Sequence, residues 1–184
     1  MRKDLENLKR RPFLFPLLMP IALFAVAVVV AVWVFDARAT TIVVLVRHAE
    51  TEPSTDPDPN LSLSGKERAA RLARMLASLQ SPRALDAVFA ADSRRAQQTV
   101  QPLAETLSLP INVVPPAAWS ELTQRIRREH RGEVVLVAGD AKSIPSVIAS
   151  FTDQNVTIAD GDFDALYIIF SPQLSRTRLL TIRY

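Results

Sequence analysis

Residues 13–35, "FLFPLLMPIALFAVAVVVAVWVF", run for 23 positions without a charge, and no other feature limits the chain so strongly. As a helix rising ~1.5 Å per residue, the block spans a bilayer core of roughly 30 Å. A core helix of that length in a water-soluble protein would carry a polar stripe, and this one has none. Pro16 and Pro20 fall in its first turns, where proline is best tolerated, and Trp33 suits an interfacial position near the far end. The preceding residues 1–12 hold Arg2, Lys3, Lys9, Arg10 and Arg11 against Asp4 and Glu6. The positive-inside rule then keeps this basic flank cytoplasmic and exports residues 40–184. A cleaved signal sequence is the rival reading, since Ala37-Arg38-Ala39 has the A-x-A form. The block is longer than the usual apolar region of roughly 7–15 residues, which favours an uncleaved anchor. On either reading the domain faces outward, and on the first it is held at the cytoplasmic membrane by a single pass.

Composition excludes several functions. The 22 Lys and Arg against 19 Asp and Glu give a net charge of only +3, and no stretch interleaves basic and aromatic residues. Nucleic acid is therefore not the expected partner. The absence of cysteine removes disulfides, thiolate metal sites and cysteine nucleophiles, and two histidines make a histidine-based metal site unexpected. Neither a metal nor an organic cofactor is implied.

Beyond the apolar block, strand and helix patterns alternate. "TTIVVLV" (40–46) and "EVVLVAG" (133–139) are continuous β-branched runs of the kind buried on both faces in a parallel sheet. "LDAVFA" (85–90) and "INVV" (111–114) read as further strands. A helix is expected from Ser64, with Ser64 and Glu67 as a capping box and Ala69, Leu72, Leu76 and Leu79 inward. A second is expected over 94–107, with Thr99, Leu103 and Leu107 inward and Pro102 kinking or interrupting it. A third should begin near Ser120 and close with Gly132 at its C′ position, and a fourth should carry Pro145 in its first turn. The end, "ALYIIF" to "RTRLLTIRY", reads as a hairpin. The expected fold is a three-layer α/β/α domain with a mostly parallel sheet, preceded by one transmembrane helix.

Ligands of such sheets bind beyond the carboxyl ends of the strands. Arg47, His48 and Glu50 follow the first strand; Asp92, Ser93, Arg94 and Arg95 follow the second. Glu121 comes shortly after the third, and Asp140 and Lys142 follow the fourth. Guanidinium groups match phosphate oxygens, and a helix starting near Ser143 would add backbone donors. An imidazole among cations is favoured as the free base, the nucleophilic form. The phosphate chemistry competes with plainer roles. Glu121 also suits a first-turn helix acid, Arg94 a solvated surface, and His130 the surface of a helix C-terminus.

"LVRHAET" (45–51), "LSLSGKERA" (61–69), "ADSRRAQQT" (91–99) and "VVLVAGDAKSIPSVI" (134–148) together resemble the histidine phosphatase, or phosphoglycerate-mutase-like, superfamily. The resemblance covers 41–184 and suggests a small member without a cap. It implies that His48 is the nucleophile of a phosphohistidine intermediate, that Arg47 and Arg95 grip the phosphate, and that Glu121 is the acid for the leaving group, a role whose source varies in the family. The implied activity is a phosphoric monoester hydrolase; the outward-facing position, not the resemblance, makes an envelope-associated phosphorylated substrate the expected one. The family ends its fourth strand with Gly-His, whereas this chain has Gly139-Asp140. A carboxylate ~4 Å from a phosphate oxygen is repelled by roughly 4 kcal/mol at an effective dielectric of ~20. Loss of a donor there costs on the order of 10²–10³ in rate by analogy with oxyanion holes. Lys142 could supply a replacement cation, or Asp140 could act in catalysis as a protonated donor. The alternative is a pseudo-phosphatase: a regulatory module that binds a phosphorylated ligand without turning it over.

Overall fold

A computed structural model describes residues 15–78 and 84–184; the side chains of 15–18, 37 and 38 are outside this description. The basic flank at 1–12 and Leu79 therefore lie outside the described residues.

The chain divides into two units, Met1–Arg38 and Ala39–Tyr184. In the first, α1 (Phe15–Ala39) is a helix that continues through Pro20. Its stretch Met19–Asp36 is long and apolar enough to cross a membrane. Large apolar side chains are exposed along it, Phe24 at 72% and Trp33 at 71%. A helix that is apolar on every side needs an apolar surrounding.

The second unit is a mixed α/β domain. Its elements are β1 (Thr41–Arg47), α2 (Leu63–Ala77), β2 (Ala87–Ala91), α3 (Arg94–Leu107), β3 (Ile111–Val114), α4 (Trp119–Glu129), β4 (Val134–Gly139), α5 (Ser143–Thr152), β5 (Ala165–Ser171) and β6 (Arg178–Arg183). Among the described residues the sheet has six strands in the order β3-β2-β4-β1-β5-β6. The first four in this order are mutually parallel; β5 and β6 run antiparallel and close the sheet as the expected hairpin.

Alternation along the strands separates two cores. Val43, Leu45, Val135 and Val137 meet α4 and α5 through Leu122, Ile126, Ile144 and Ile148. Val44, Val46, Leu136 and Ala138 meet α2 and α3 through Leu72, Leu76, Val100 and Leu103. Full burial of each such aliphatic side chain contributes roughly 1.5–3 kcal/mol. The chain leaves β1 toward α2 on one face and β4 toward α5 on the other. The crevice between the carboxyl ends of these neighbouring strands is thus the switch point at which an open α/β sheet binds ligands.

Several local expectations are corrected. The N-cap of α2 is Ser62, whose hydroxyl accepts from Gly65 N at 3.1 Å, so the expected Ser64–Glu67 box lies two residues too late. Ser64 instead bonds the Ser62 hydroxyl at 2.8 Å. Pro102 does not interrupt α3, which runs through it. Burial of Val100, Leu103 and Ala104 around it offsets the missing N–H. Gly132, at φ 75°, stands two residues beyond His130, the C-cap of α4, and turns the chain into β4. His130 is half-buried rather than freely exposed: it packs edge-on against Phe89 and bonds Glu133 through Nδ1 at 2.7 Å.

Candidate active site

The parallel register places Arg47 opposite Gly139, and His48 N donates to Gly139 O at 2.9 Å. His48 and Asp140 therefore leave adjacent strands side by side. Ala49 is fully buried against Leu61 and Ala69, which pins the turn.

The "AQQT" segment fixes the loops around His48. Thr99 Oγ1 donates to Arg95 O at 2.7 Å and accepts from Ala49 N at 2.9 Å. Gln98 accepts from Leu61 N through Oε1 and donates to Asn60 Oδ1 through Nε2, both at 2.9 Å. Glu50 is structural: Arg68 Nε reaches both its oxygens at 2.9 Å, and this bond holds its carboxyl below the usual range against a weaker opposing effect of burial. Sequence alone showed Thr99 only as an inward residue and left Gln98 unassigned; a run of amides and hydroxyls on an inward helix face was the signal for such bracing.

Gly65 packs directly on this loop, and a Cβ there would stand 2.1 Å from Glu50 O. Gly65→Ala must displace backbone, and such overpacking costs ~1–3 kcal/mol. Thermal unfolding of the variant should show a midpoint lower by roughly 3–10 °C.

His48 Nδ1 lies 2.9 Å from Ala49 O. A carbonyl oxygen only accepts, so Nδ1 carries the proton and Nε2 carries the lone pair. Burial is the main cause holding the His48 pKa below its ordinary value. The Ala49 carbonyl opposes this, Arg95 and Arg47 reinforce it, and Asp140 opposes it more weakly. The ring is thus neutral at pH 7.

Arg47 Nη1 donates to Ala159 O at 2.7 Å, its guanidinium stacks 4.4 Å from the Phe163 ring centre, and its Nε is buried without a hydrogen-bond partner among the described residues. Phe163 also stands 6.0 Å from the His48 ring. This aromatic wall comes from a loop in which the sequence offered no motif.

Arg95, Asp140 and Lys142 are brought together. They line an open cavity of about 400 Å³ with Asp92, Ser93 and Trp119. Glu121 is not brought there. It lines a separate groove with Val113, Leu122, Arg125 and Arg128, because the α4 turn that places Trp119 toward the cavity points Glu121 elsewhere. The role of leaving-group acid expected for Glu121 therefore finds no support in its position.

The N-terminus of α5, expected to offer donors to a phosphate, holds a carboxylate of the chain, and so does that of α3. Asp140 Oδ1 accepts from Lys142 N at 2.9 Å, Ser143 N at 2.7 Å and Ser143 Oγ at 2.9 Å, so it caps α5. Burial works to raise the Asp140 pKa, but these bonds and nearby His48 outweigh it and hold the pKa below the ordinary value. These bonds favour the carboxylate form of Asp140 over the protonated donor considered from sequence. At α3, Asp58 accepts from Arg94 N through both oxygens and lies 3.5 Å from Arg95 Nη1. Arg94 also pairs with Asp56 at 2.5 Å, so it braces the acidic loop. Among the described residues no cluster of acidic or histidine side chains could hold a metal ion.

Residues 43–123 match the model of the histidine phosphatase superfamily, branch 1. No curated protein matches the sequence. Among solved structures, the protein histidine phosphatase SixA complexed with tungstate is similar at 17% identity and a TM-score of 0.63, over 77% of this chain and 96% of that one. The mycobacterial glucosyl-3-phosphoglycerate phosphatase in complex with VO3 gives 16% identity and a TM-score of 0.60, over 77% and 98%. A phosphoserine phosphatase from Entamoeba histolytica, bound to 3-phosphoglyceric acid, gives 12% identity and a TM-score of 0.59, over 78% and 97%. Residues 41–184 therefore form a domain of the histidine-phosphatase fold, whose segment 43–123 carries the branch 1 pattern of the histidine phosphatase superfamily.

Proposed function

We propose that the chain is a phosphatase, tethered to a membrane by α1, that hydrolyses a phosphomonoester through a phosphohistidine on His48. One observation carries this reading: a buried imidazole whose Nδ1 proton is committed to Ala49 O, its neutral form favoured by burial and by the charges of Arg95 and Arg47. In the first step Nε2 attacks phosphorus, the N–P bond forms, and the ester P–O bond breaks with its electron pair on the leaving oxygen. Arg47, Arg95 and Lys142 offset the phosphoryl charge. In the second step a water oxygen attacks phosphorus, the N–P bond breaks, and inorganic phosphate departs. The ionised Asp140 suits this second step, as an acceptor for the water proton, better than the first. These groups supply nucleophile and charge without a metal or organic cofactor.

With Glu121 facing another groove and Asp140 ionised, the leaving group departs with little proton assistance. General acids typically contribute 10²–10⁴-fold, so aryl phosphates should exceed alkyl phosphates in kcat/KM by at least about 10²-fold. Steady-state assays on a graded ester series check this. A flat dependence on leaving-group pKa would show that another group donates the proton. The membrane tether makes exported phosphoesters of the envelope the candidate substrates.

A second reading, a binding module without turnover, is favoured by the carboxylates of Asp140 and Asp58 at the two helix N-termini. Binding of an aryl phosphate without release of phosphate would select it.

A further inference from the structure

The turn of the β5–β6 hairpin lies at the end of the sheet opposite the candidate site. Thr41, which begins β1, pairs with Ser171, and Phe170 pairs with Arg178. The turn 172–177 therefore lies beside the point where the chain leaves α1 and enters the sheet. β1 rises ~3.3 Å per residue, so His48 stands roughly 20 Å farther along.

This end joins apolar surface to positive charge. Leu174 in the turn is 66% exposed and Leu180 is 48% exposed. Leu180 pairs with Ile168 and Arg178 with Phe170, so these side chains share one sheet face. Beside them is a cavity of about 580 Å³ lined in part by Thr40, Phe170, Pro172, Arg176, Arg178 and Leu180. Residues 165–184 contain Arg176, Arg178 and Arg183 and no acidic residue. Arg183 is at the site end, bonded to Asp162 at 2.8 Å and to Asp164. Arg176 and Arg178 remain exposed at the turn end.

We propose that the 172–180 face of this hairpin docks on the anionic headgroup layer of the membrane that α1 crosses. The proposal rests on the reading of α1 as a membrane span. Thr40 follows α1 directly, so a span holds this end of the domain at the bilayer surface. Arginines within a Debye length of an anionic layer, ~8 Å at physiological ionic strength, are attracted to it. Leu174 and Leu180 can enter the headgroup boundary beside them. Docking on this face turns the carboxyl ends of β1 and β4 away from the lipid, toward phosphoryl groups carried off the bilayer.

The chain has no cysteine, so single nitroxide labels can be placed by Leu174→Cys, by Val29→Cys within α1, and by Glu67→Cys on α2. The full chain is reconstituted in vesicles of phosphatidylcholine with anionic phosphatidylglycerol. Accessibility is read by power saturation with oxygen and with a water-soluble nickel chelate. The oxygen-to-nickel ratio at 174 should exceed that at 67 severalfold. It should fall to the level at 67 when Arg176→Glu and Arg178→Glu are added. A water-type ratio at 174 with a lipid-type ratio at 29 overturns the docking and leaves the span intact. Water-type ratios at both positions overturn the span, and the docking with it. Dipolar broadening at 174 with a water-type ratio assigns the face to a second copy of the chain and overturns the lipid assignment.

Discussion

His48→Gln should lower kcat/KM for an aryl phosphate by at least about 10⁴-fold, the scale at which hydrolases respond to loss of their nucleophile. The expectation rests on the ring's tautomer and position. Nδ1 is committed to the Ala49 carbonyl, and the turn is pinned by buried Ala49, by Thr99, and by the His48 N–H on Gly139 O. A glutamine can occupy the same space and bond the same carbonyl, but it has no comparable lone pair to form an N–P bond. The wild-type pH profile should agree. Because burial lowers the His48 pKa, with Arg95 and Arg47 reinforcing it against Ala49 O and Asp140, the nucleophilic base persists below the ordinary value of 6.5. After correction for the substrate's own ionisation near about pH 6, the acid limb of kcat/KM should lie below pH 6.5 and vanish in the variant. A limb above that value would contradict the buried, cation-flanked ring.

Asp140→Asn should raise kcat/KM by roughly 10–100-fold while leaving stability nearly unchanged. The repulsion between a carboxylate and a phosphate oxygen is roughly 4 kcal/mol at ~4 Å and an effective dielectric of ~20. Asp140 is partly solvated and shares the cavity lining with Arg95 and Lys142, so only part of that repulsion is recovered. Asparagine Oδ1 can still accept from Lys142 N and Ser143 N and keep the cap of α5. Asp140→Ala removes both charge and cap, and its cost of ~0.5–2 kcal/mol in denaturant unfolding should separate the two roles. Because Asp140 also accepts the water proton in the second step, Asp140→Asn should at the same time lower kcat and accumulate phosphoenzyme. Steady-state kinetics and phosphoenzyme level together check both effects.

The strands were legible because their periodicity is strong. "VVLV" at 43–46 and "VVLVAG" at 134–139 are doubly buried and could hardly be anything but central parallel strands. Helix ends were less legible. Two serines, Ser62 and Ser64, compete for one cap, and only the Glu50 carbonyl packed on Gly65 decides between them. At the site, His48, Arg47 and Arg95 stand out in the sequence as candidates because each lies at or just after a strand end. Glu121 lines a separate groove because helical phase, not sequence distance from β3, sets the direction of a side chain. Phe163 and Asp58 were illegible for a related reason. Both act from loops whose positions depend on contacts with arginines 116 and 36 residues away in the chain for Phe163–Arg47 and Asp58–Arg94.

The central claim is that phosphate passes through His48. Rapid quench of the full chain with a radiolabelled aryl phosphate, followed by peptide mapping, tests it directly. The expected result is a phosphoramidate on His48, labile to acid and stable to base, that forms and decays at rates matching turnover and is absent from His48→Gln. Release of inorganic phosphate with no label on His48, or label elsewhere at a competent rate, would contradict it.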